Sequence, residues 1–260
     1  MISDDTTGGP LADAILEEAR ARYEAVRNRI ARAAERAGRA PHEITLVGVA
    51  KRQPMERILG AIAAGLRVLG ESYVQEAREM RPRIESRLAS QRETSGVELE
   101  WRMVGRLQRN KAGLAARLFD AVESVDRAAL ADVLSRRAEA EGRILDTLIQ
   151  VSLCGEPQKG GCEPGDLPEL ARRVHDLPGL RLRGLMTIPA AGGNPEASRP
   201  VFARLRALGE SLAELDPELA RPDLSMGMSA DFEVAIEEGA TLVRVGTALF
   251  GERRASPPAT

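Results

Sequence analysis

Along this chain, short β-branched runs alternate with longer stretches in which apolar residues return every three or four positions. The first such stretch follows Pro10. Ile15, Ala19, Tyr23, Val26, Ile30 and Ala33 fall on one face of a helix, and Gly38 ends it. From Ile44 onward the pattern predicts strands over 44–50, 67–70, 99–104, 119–124, 144–151, 180–187, 222–225 and 242–246. Helices are predicted over 54–64, 73–88, 109–117, 127–141, 166–176, 197–215 and 230–238. Such alternation implies a parallel sheet clothed in helices. Eight strands in about 200 residues suit a single α/β domain, a (β/α)8 TIM-type barrel with an extra N-terminal helix. An open doubly wound sheet is the alternative. It is weakened because no G-x-G-x-x-G follows the first strand. The alternation runs through the Gly/Pro/Asn-rich loop 190–199 and the polar connection 90–96, so neither reads as a domain linker. The domain is therefore expected to span 10–253, with flexible ends at 1–9 and 254–260.

Composition narrows the class. The chain has 260 residues, 43% hydrophobic and 29% charged, with a formal net charge of -2. No basic field points to nucleic acid, and an aromatic content of 3% leaves little for stacking on bases. No apolar run reaches membrane-spanning length, and residues 1–10 have no basic start or apolar core, so they do not read as a secretory signal. A cytoplasmic location is expected. Cys154 and Cys162 imply no disulfide framework and could pair only if the fold brings them together. No histidine cluster accompanies them, and His42 and His175 read as isolated surface or loop residues, so no metal site is expected.

The candidate chemistry lies at strand ends. Lys51 closes the first predicted strand, and by the period of two it shares a face with Thr45, Val47 and Val49. If that face lines the barrel, the amine rises to the mouth and can form a Schiff base. A lone lysine at a strand end is more commonly just solvated. Arg244 interrupts the apolar run Leu242-Val243-Arg244-Val245-Gly246, where a charge must be paired or functional. The bland reading of Arg244 is an ion pair with a barrel carboxylate such as Glu71. Ser225-Met226-Gly227-Met228-Ser229 and Gly246-Thr247 follow the last two strands, where barrels hold phosphates on backbone N–H groups. Ser229 also reads as a plain helix N-cap.

At this point a family resemblance enters. Val49-Ala50-Lys51, Gly70-Glu71-Ser72-Tyr73, Trp101 with Gly105-Arg106-Leu107-Gln108-Arg109-Asn110-Lys111, Arg183-Gly184-Leu185-Met186-Thr187-Ile188-Pro189, the Ser225–Ser229 motif and Val243-Arg244-Val245-Gly246-Thr247 occur in this order. Together they resemble the YggS/PROSC-type pyridoxal phosphate homeostasis proteins, over nearly the whole chain. The resemblance implies a barrel like the N-terminal domain of alanine racemase, with pyridoxal 5'-phosphate as cofactor. It implies that Lys51 holds the cofactor as a Schiff base and that Arg244 faces the pyridine nitrogen. It further implies that Ser225, Gly246 and Thr247 bind phosphate, with Met226 and Ser229 nearby. Three positions depart from the family's usual pattern. Ser72 replaces an asparagine, so its polar contact near the cofactor would be shortened or bridged by water. Arg102 stands where the family tends to have histidine, and Gln158 where serine is common.

The function so implied is cofactor homeostasis: buffering pyridoxal phosphate, or delivering it to apo-enzymes, with effects on amino-acid and keto-acid balance. No catalytic residue is assigned, and a monomer is expected. The alternatives are a single-domain racemase or lyase and a ligand-free structural barrel. Arginine at the pyridine nitrogen disfavours protonation there, which argues against demanding carbanion chemistry. A racemase also uses a second base from a β-rich domain, for which no room is expected after the eighth strand. Tyr73 is a local acid–base candidate, although a tyrosine at a helix start is more often packing.

Overall fold

Period-two alternation sorts strand side chains between two environments, and the computed structural model shows how the two are enclosed. It describes residues 11–90, 96–190, 192, 194–216, 219 and 221–252. The ends expected to be flexible, 1–9 and 254–260, lie outside the described residues. Among the described residues the strands are β1 (Thr45–Val49), β2 (Val68–Glu71), β3 (Glu100–Met103), β4 (Ala121–Val125), β5 (Leu145–Gln150), β6 (Leu180–Met186), β7 (Asp223–Met228) and β8 (Leu242–Val245). They pair in parallel in chain order, and β8 closes onto β1 through Thr45↔Leu242 and Val47↔Arg244. The closed barrel excludes the open doubly wound sheet.

The helices are α1 (Asp13–Arg36), α2 (Met55–Ala63), α3 (Val74–Ser90), α4 (Ala112–Leu118), α5 (Ala128–Ala140), α6 (Leu167–His175), α7 (Arg199–Leu215), α8 (Phe232–Glu237) and α9 (Thr247–Phe250). Alternate strand residues such as Leu46, Leu69, Trp101, Val122 and Val243 join helix side chains in the main core. The opposite set, Val47, Val104 and Leu242 with Val49 and Val68, forms a small separate cluster inside the barrel. The interior is therefore only partly apolar, and the rest of it carries polar and charged groups such as Ser225, Glu123 and Arg244.

Three elements differ from the pattern-based expectation. β7 runs on to Met228 because Gly227 adopts φ 87°, and a register shift between Ser225 and Met228 keeps the strand paired with β8. A side chain at Gly227 would place its Cβ 2.5 Å from that of Ala235, so the strand end lies directly against α8. The helix predicted over 109–117 starts as a 3-10 turn, Arg109–Lys111, before α4. α9 has four residues, too few to show a periodic pattern.

The extra helix α1 is fastened by both of its faces. Val26, Ile30, Ala33 and Ala34 are buried against the core. On the polar side, Arg29 pairs with Glu233 at 2.9 Å and lies over the Phe232 ring at 4.4 Å, and Arg36 pairs with Glu237 at 2.8 Å. Arg39 donates to the carbonyls of Ile236 and Ala240 at the C-terminal end of α8, where a cation is favoured. Ile30 is fully buried, and truncating such a side chain leaves a cavity. Ile30→Ala is expected to cost about 2–5 kcal/mol in urea unfolding with an unchanged m-value. A loss below about 1 kcal/mol would mean that the core closes without α1.

Candidate functional site

Lys51 lies in the turn directly after β1, one strand-step beyond Val49 on the barrel-facing side. Its Nζ stands 4.7 Å from the centre of the Tyr73 ring, a cation–π distance. The next residue, Arg52, has φ 56°, the one positive φ outside glycine among the described residues. That conformation strains a residue with a Cβ, and the Arg52 N–H is held by Glu76 Oε2 on α3 at 3.2 Å. The turn presenting Lys51 is thus fixed from the helix layer.

Arg244 is buried inside the barrel and anchors a chain of polar contacts. Its Nη1 donates to Ser225 Oγ at 2.6 Å and its Nη2 to the Thr187 carbonyl at 2.7 Å. Ser225 Oγ donates to Glu123 Oε2 at 2.5 Å, and Arg102 Nε donates to Glu123 Oε1 at 2.5 Å. Arg102 also pairs with Glu100. Arg244 therefore reaches Glu123 through Ser225, and the expected alternative partner Glu71 does not appear among its contacts. Desolvation lowers the Arg244 pKa against the opposing charges of Glu123 and Asp231, yet a guanidinium stays charged near neutrality. For Arg102, desolvation also opposes the charge, but Glu123 and Glu100 outweigh it and the pKa is raised.

The remaining candidates separate. Ser229 Oγ accepts from the N–H groups of Gly246 at 3.2 Å and Ala248 at 3.3 Å, beside the exposed Thr247. Ser229, Gly246 and Thr247 are thus gathered at the mouth, with the Gly246 and Ala248 N–H groups engaged by the Ser229 hydroxyl. Gly246 also leaves open space, since an added Cβ would meet nothing closer than the Val49 carbonyl at 3.4 Å. The Ser225 hydroxyl lies deeper, fully buried and engaged by Arg244 and Glu123. The Met226 side chain is fully buried in the main core. Ser72 is half-buried and lines a groove of about 750 Å³ with Tyr73, Arg106, Arg109, Lys111 and Arg127. Its backbone presses on Gly105, where a Cβ would fall 2.3 Å from the Ser72 carbonyl oxygen.

Sequence reading missed Glu123 and named Arg102 only as a departure from the family pattern, with no role. The signal that exposed Arg244, a charge inside an apolar strand, was also present in Ala121-Val122-Glu123-Ser124-Val125, whereas Glu100-Trp101-Arg102-Met103 carries two charges in four residues and gives no such contrast. A second missed signal is scarcity: the chain has three lysines, Lys51, Lys111 and Lys159. Lys159 is committed to Glu156 at 3.0 Å and to the Pro189 carbonyl at 2.8 Å. Arg244 lies on β8, and Lys51 lies in the turn after the neighbouring β1. Val47 pairs with Arg244, so Lys51 is four residues further toward the mouth, two of them beyond the end of the strand. The mouth and interior thus hold an amine at Lys51, a buried guanidinium at Arg244 and a turn of backbone amides around Ser229.

The family described as alanine racemase, N-terminal domain, matches residues 22–254. A pyridoxal phosphate homeostasis protein of Aquifex aeolicus is 44% identical over 233 residues, covering 90% of this chain and 97% of the relative. One from Pseudomonas aeruginosa is 45% identical over 232 residues, covering 89% and 94%. This chain belongs to the pyridoxal phosphate homeostasis protein family. Within this family, the solved structure of PipY from Synechococcus elongatus with pyridoxal phosphate bound has a TM-score of 0.73 at 36% identity and covers 85% of this chain and 100% of PipY. An alanine racemase of Clostridium difficile, at 14% identity and a TM-score of 0.60, shares the barrel fold, and this chain covers 53% of it.

One buried carboxyl beside Lys51's turn gives the site a pH signature. Glu71 is buried with its Oε2 unpartnered among the described residues. Burial first, and the charge of Glu76 second, push its pKa up to about 8 against a lowering hydrogen bond from the Ser72 backbone. Between the ordinary value of 4.5 and about 8, the folded state holds a proton that the unfolded chain releases. Stability therefore falls as pH rises through this window, by at most about 1.4 kcal/mol per pH unit. Glu71→Gln is expected to flatten that fall, so that urea-unfolding free energies shift in the variant's favour from about pH 5 to about pH 8. Parallel curves for the two proteins would show that Glu71 is ionised in the fold.

Proposed function

We propose that this chain binds pyridoxal 5'-phosphate and serves its homeostasis, holding the cofactor for buffering or for delivery to apo-enzymes rather than turning over a substrate. The observation that carries this reading is the placement of Lys51, just after β1, and Arg244, on the neighbouring β8, with the Ser229–Gly246–Thr247 cup at the same mouth. The relatives' name and the pyridoxal phosphate bound to PipY support it. When bound, the cofactor supplies an aldehyde that exchanges between amines.

Each residue then has a defined task. Lys51 offers the amine, with its turn fixed by Glu76. Gly246 and Thr247, with Ser229, seat the phosphate on backbone and hydroxyl groups. Arg244 faces the pyridine nitrogen as a permanent cation and keeps a proton off it, which weakens the ring as an electron sink. Ser225 acts below the phosphate, through Arg244. Ser72 borders the site from the groove side, and Met226 supports it by backbone and packing.

The same geometry disfavours racemization. That reaction needs two placed acid–base groups on opposite faces, each contributing roughly 10²- to 10⁴-fold. Tyr73 is the acid–base candidate beside Lys51, but its ring is in contact with the amine rather than across from it.

Borohydride reduction of the loaded protein, followed by peptide mapping, tests the assignment. The adduct is expected on Lys51, and an adduct on Lys111 or Lys159 would overturn it. Lys51→Ala should lose the visible band. The loaded wild type is expected to restore activity to an apo-enzyme while racemizing alanine or serine at background rate. Robust racemization that vanishes in Lys51→Ala would replace the carrier reading with an enzymatic one.

A further inference from the structure

Across the barrel interior, Arg102 of β3, Glu123 of β4, Ser225 of β7 and Arg244 of β8 form one continuous line of hydrogen bonds that ends on the Thr187 carbonyl just past β6. Every link in it is 2.5–2.7 Å long and buried. We propose that Glu123, oriented by Arg102 and acting through the Ser225 hydroxyl, is the positioning residue that fixes Arg244 toward the cofactor. The proposal rests on the cofactor reading above and assigns roles to Glu123 and Arg102, which act on Arg244 through the Ser225 hydroxyl.

The argument is one of donor and acceptor supply. A guanidinium only donates, and an ionised carboxylate only accepts. The hydroxyl of Ser225 has one proton. Because Arg244 donates to Ser225 Oγ, that proton must go to Glu123, and the hydroxyl lone pair is turned toward Arg244. Glu123 must therefore accept at both oxygens at once, from Ser225 at Oε2 and from Arg102 at Oε1. Ser225 and Thr187 together occupy one N–H on each Nη of Arg244, which sets the direction of the remaining donors of the fork.

An amide cannot do what Glu123 does. Glu123→Gln has nearly the same shape but a single acceptor oxygen. If that oxygen faces Arg102, the amide N–H₂ faces Ser225, the hydroxyl turns, and its proton meets an Arg244 N–H. If the oxygen faces Ser225, the N–H₂ meets Arg102 Nε–H instead. One donor–donor clash is unavoidable while Arg102 is present, and the first arrangement releases Arg244. Arg102→Met removes the competing donor with an unbranched chain. In the Arg102→Met/Glu123→Gln double variant the amide oxygen is free to accept from Ser225, and the line to Arg244 is restored.

The test uses the full chain, both cofactor-free and loaded with pyridoxal 5'-phosphate. In the cofactor-free protein, the side-chain N–H resonances of Arg244 are followed by NMR, assigned by their loss in Arg244→Lys. In the loaded protein, the position of the visible band and the rate of cofactor loss are followed. Glu123→Gln is expected to speed solvent exchange of the Arg244 N–H groups at least tenfold, shift the band, and raise the rate of cofactor loss at least tenfold. The double variant is expected to return all three toward wild type, a non-additivity that a merely structural pair would not show. Wild-type exchange, band and loss rate in Glu123→Gln would overturn the proposal, as would a double variant no better than the single one. If the wild type takes up no pyridoxal 5'-phosphate, the cofactor reading falls, and the exchange rates alone then decide whether Glu123 holds Arg244.

Discussion

Arg244 carries a permanent charge into a place with almost no water. It is 4% exposed, and removing a charged group from water costs several kcal/mol unless its surroundings replace the lost hydrogen bonds. The replacements are a hydroxyl on β7, a carbonyl past β6 and, at one remove, a carboxylate on β4. None of these is near Arg244 in sequence except Ser225. The guanidinium is satisfied only after the sheet has closed and β7 and β8 have found their register. A one-residue slip of β7 would turn Ser225 out of the interior. The buried charge thus constrains register more sharply than the apolar cluster of Val47, Val104 and Leu242, whose packing is non-directional.

The other end of the site is built differently. Lys51 leaves the sheet on a turn whose strained residue, Arg52, has its N–H held by a carboxylate from α3. Its amine rests on an aromatic face rather than in an ion pair. The two ends of the site are thus held by different forces: a closed hydrogen-bond network deep in the barrel at Arg244, and a cation–π contact at the mouth for Lys51.

The barrel was legible because eight strands alternate with helices, and β-branched runs and three- to four-residue spacing carry that information locally. Lys51 and Arg244 were legible for the same reason, since each interrupts or ends an apolar run. Local pattern could not say which acceptor Arg244 finds. Glu123 and Glu71 are both carboxylates on barrel strands, and only the register of the closed sheet distinguishes them. It places Glu123 beneath Ser225 and leaves Glu71 beside Glu76. The depth of Ser225 was hidden in the same way. In sequence it belongs to the loop motif that ends in Ser229, but β7 continues through Gly227, so four residues separate an interior hydroxyl from one at the mouth.

Arg102 sets the electrostatics beneath Arg244, because it is the charged partner of Glu123. A histidine next to Glu123 would change charge between about pH 5 and 8, and the carboxylate would then face a partner of variable charge. An arginine does not titrate in that range. In this chain Glu123 therefore stays between two fixed cations, meeting Arg102 directly and Arg244 through Ser225. The extra charge has a cost. Arg102 Nη2 is buried with no partner among the described residues, and the guanidinium recruits Glu100 as a second carboxylate. Leaving a buried donor unsatisfied typically costs about 1–3 kcal/mol. That penalty accompanies a gain in direction, because Arg102 Nε gives Glu123 Oε1 a donor and leaves Oε2 to accept from Ser225, the link that carries the line to Arg244.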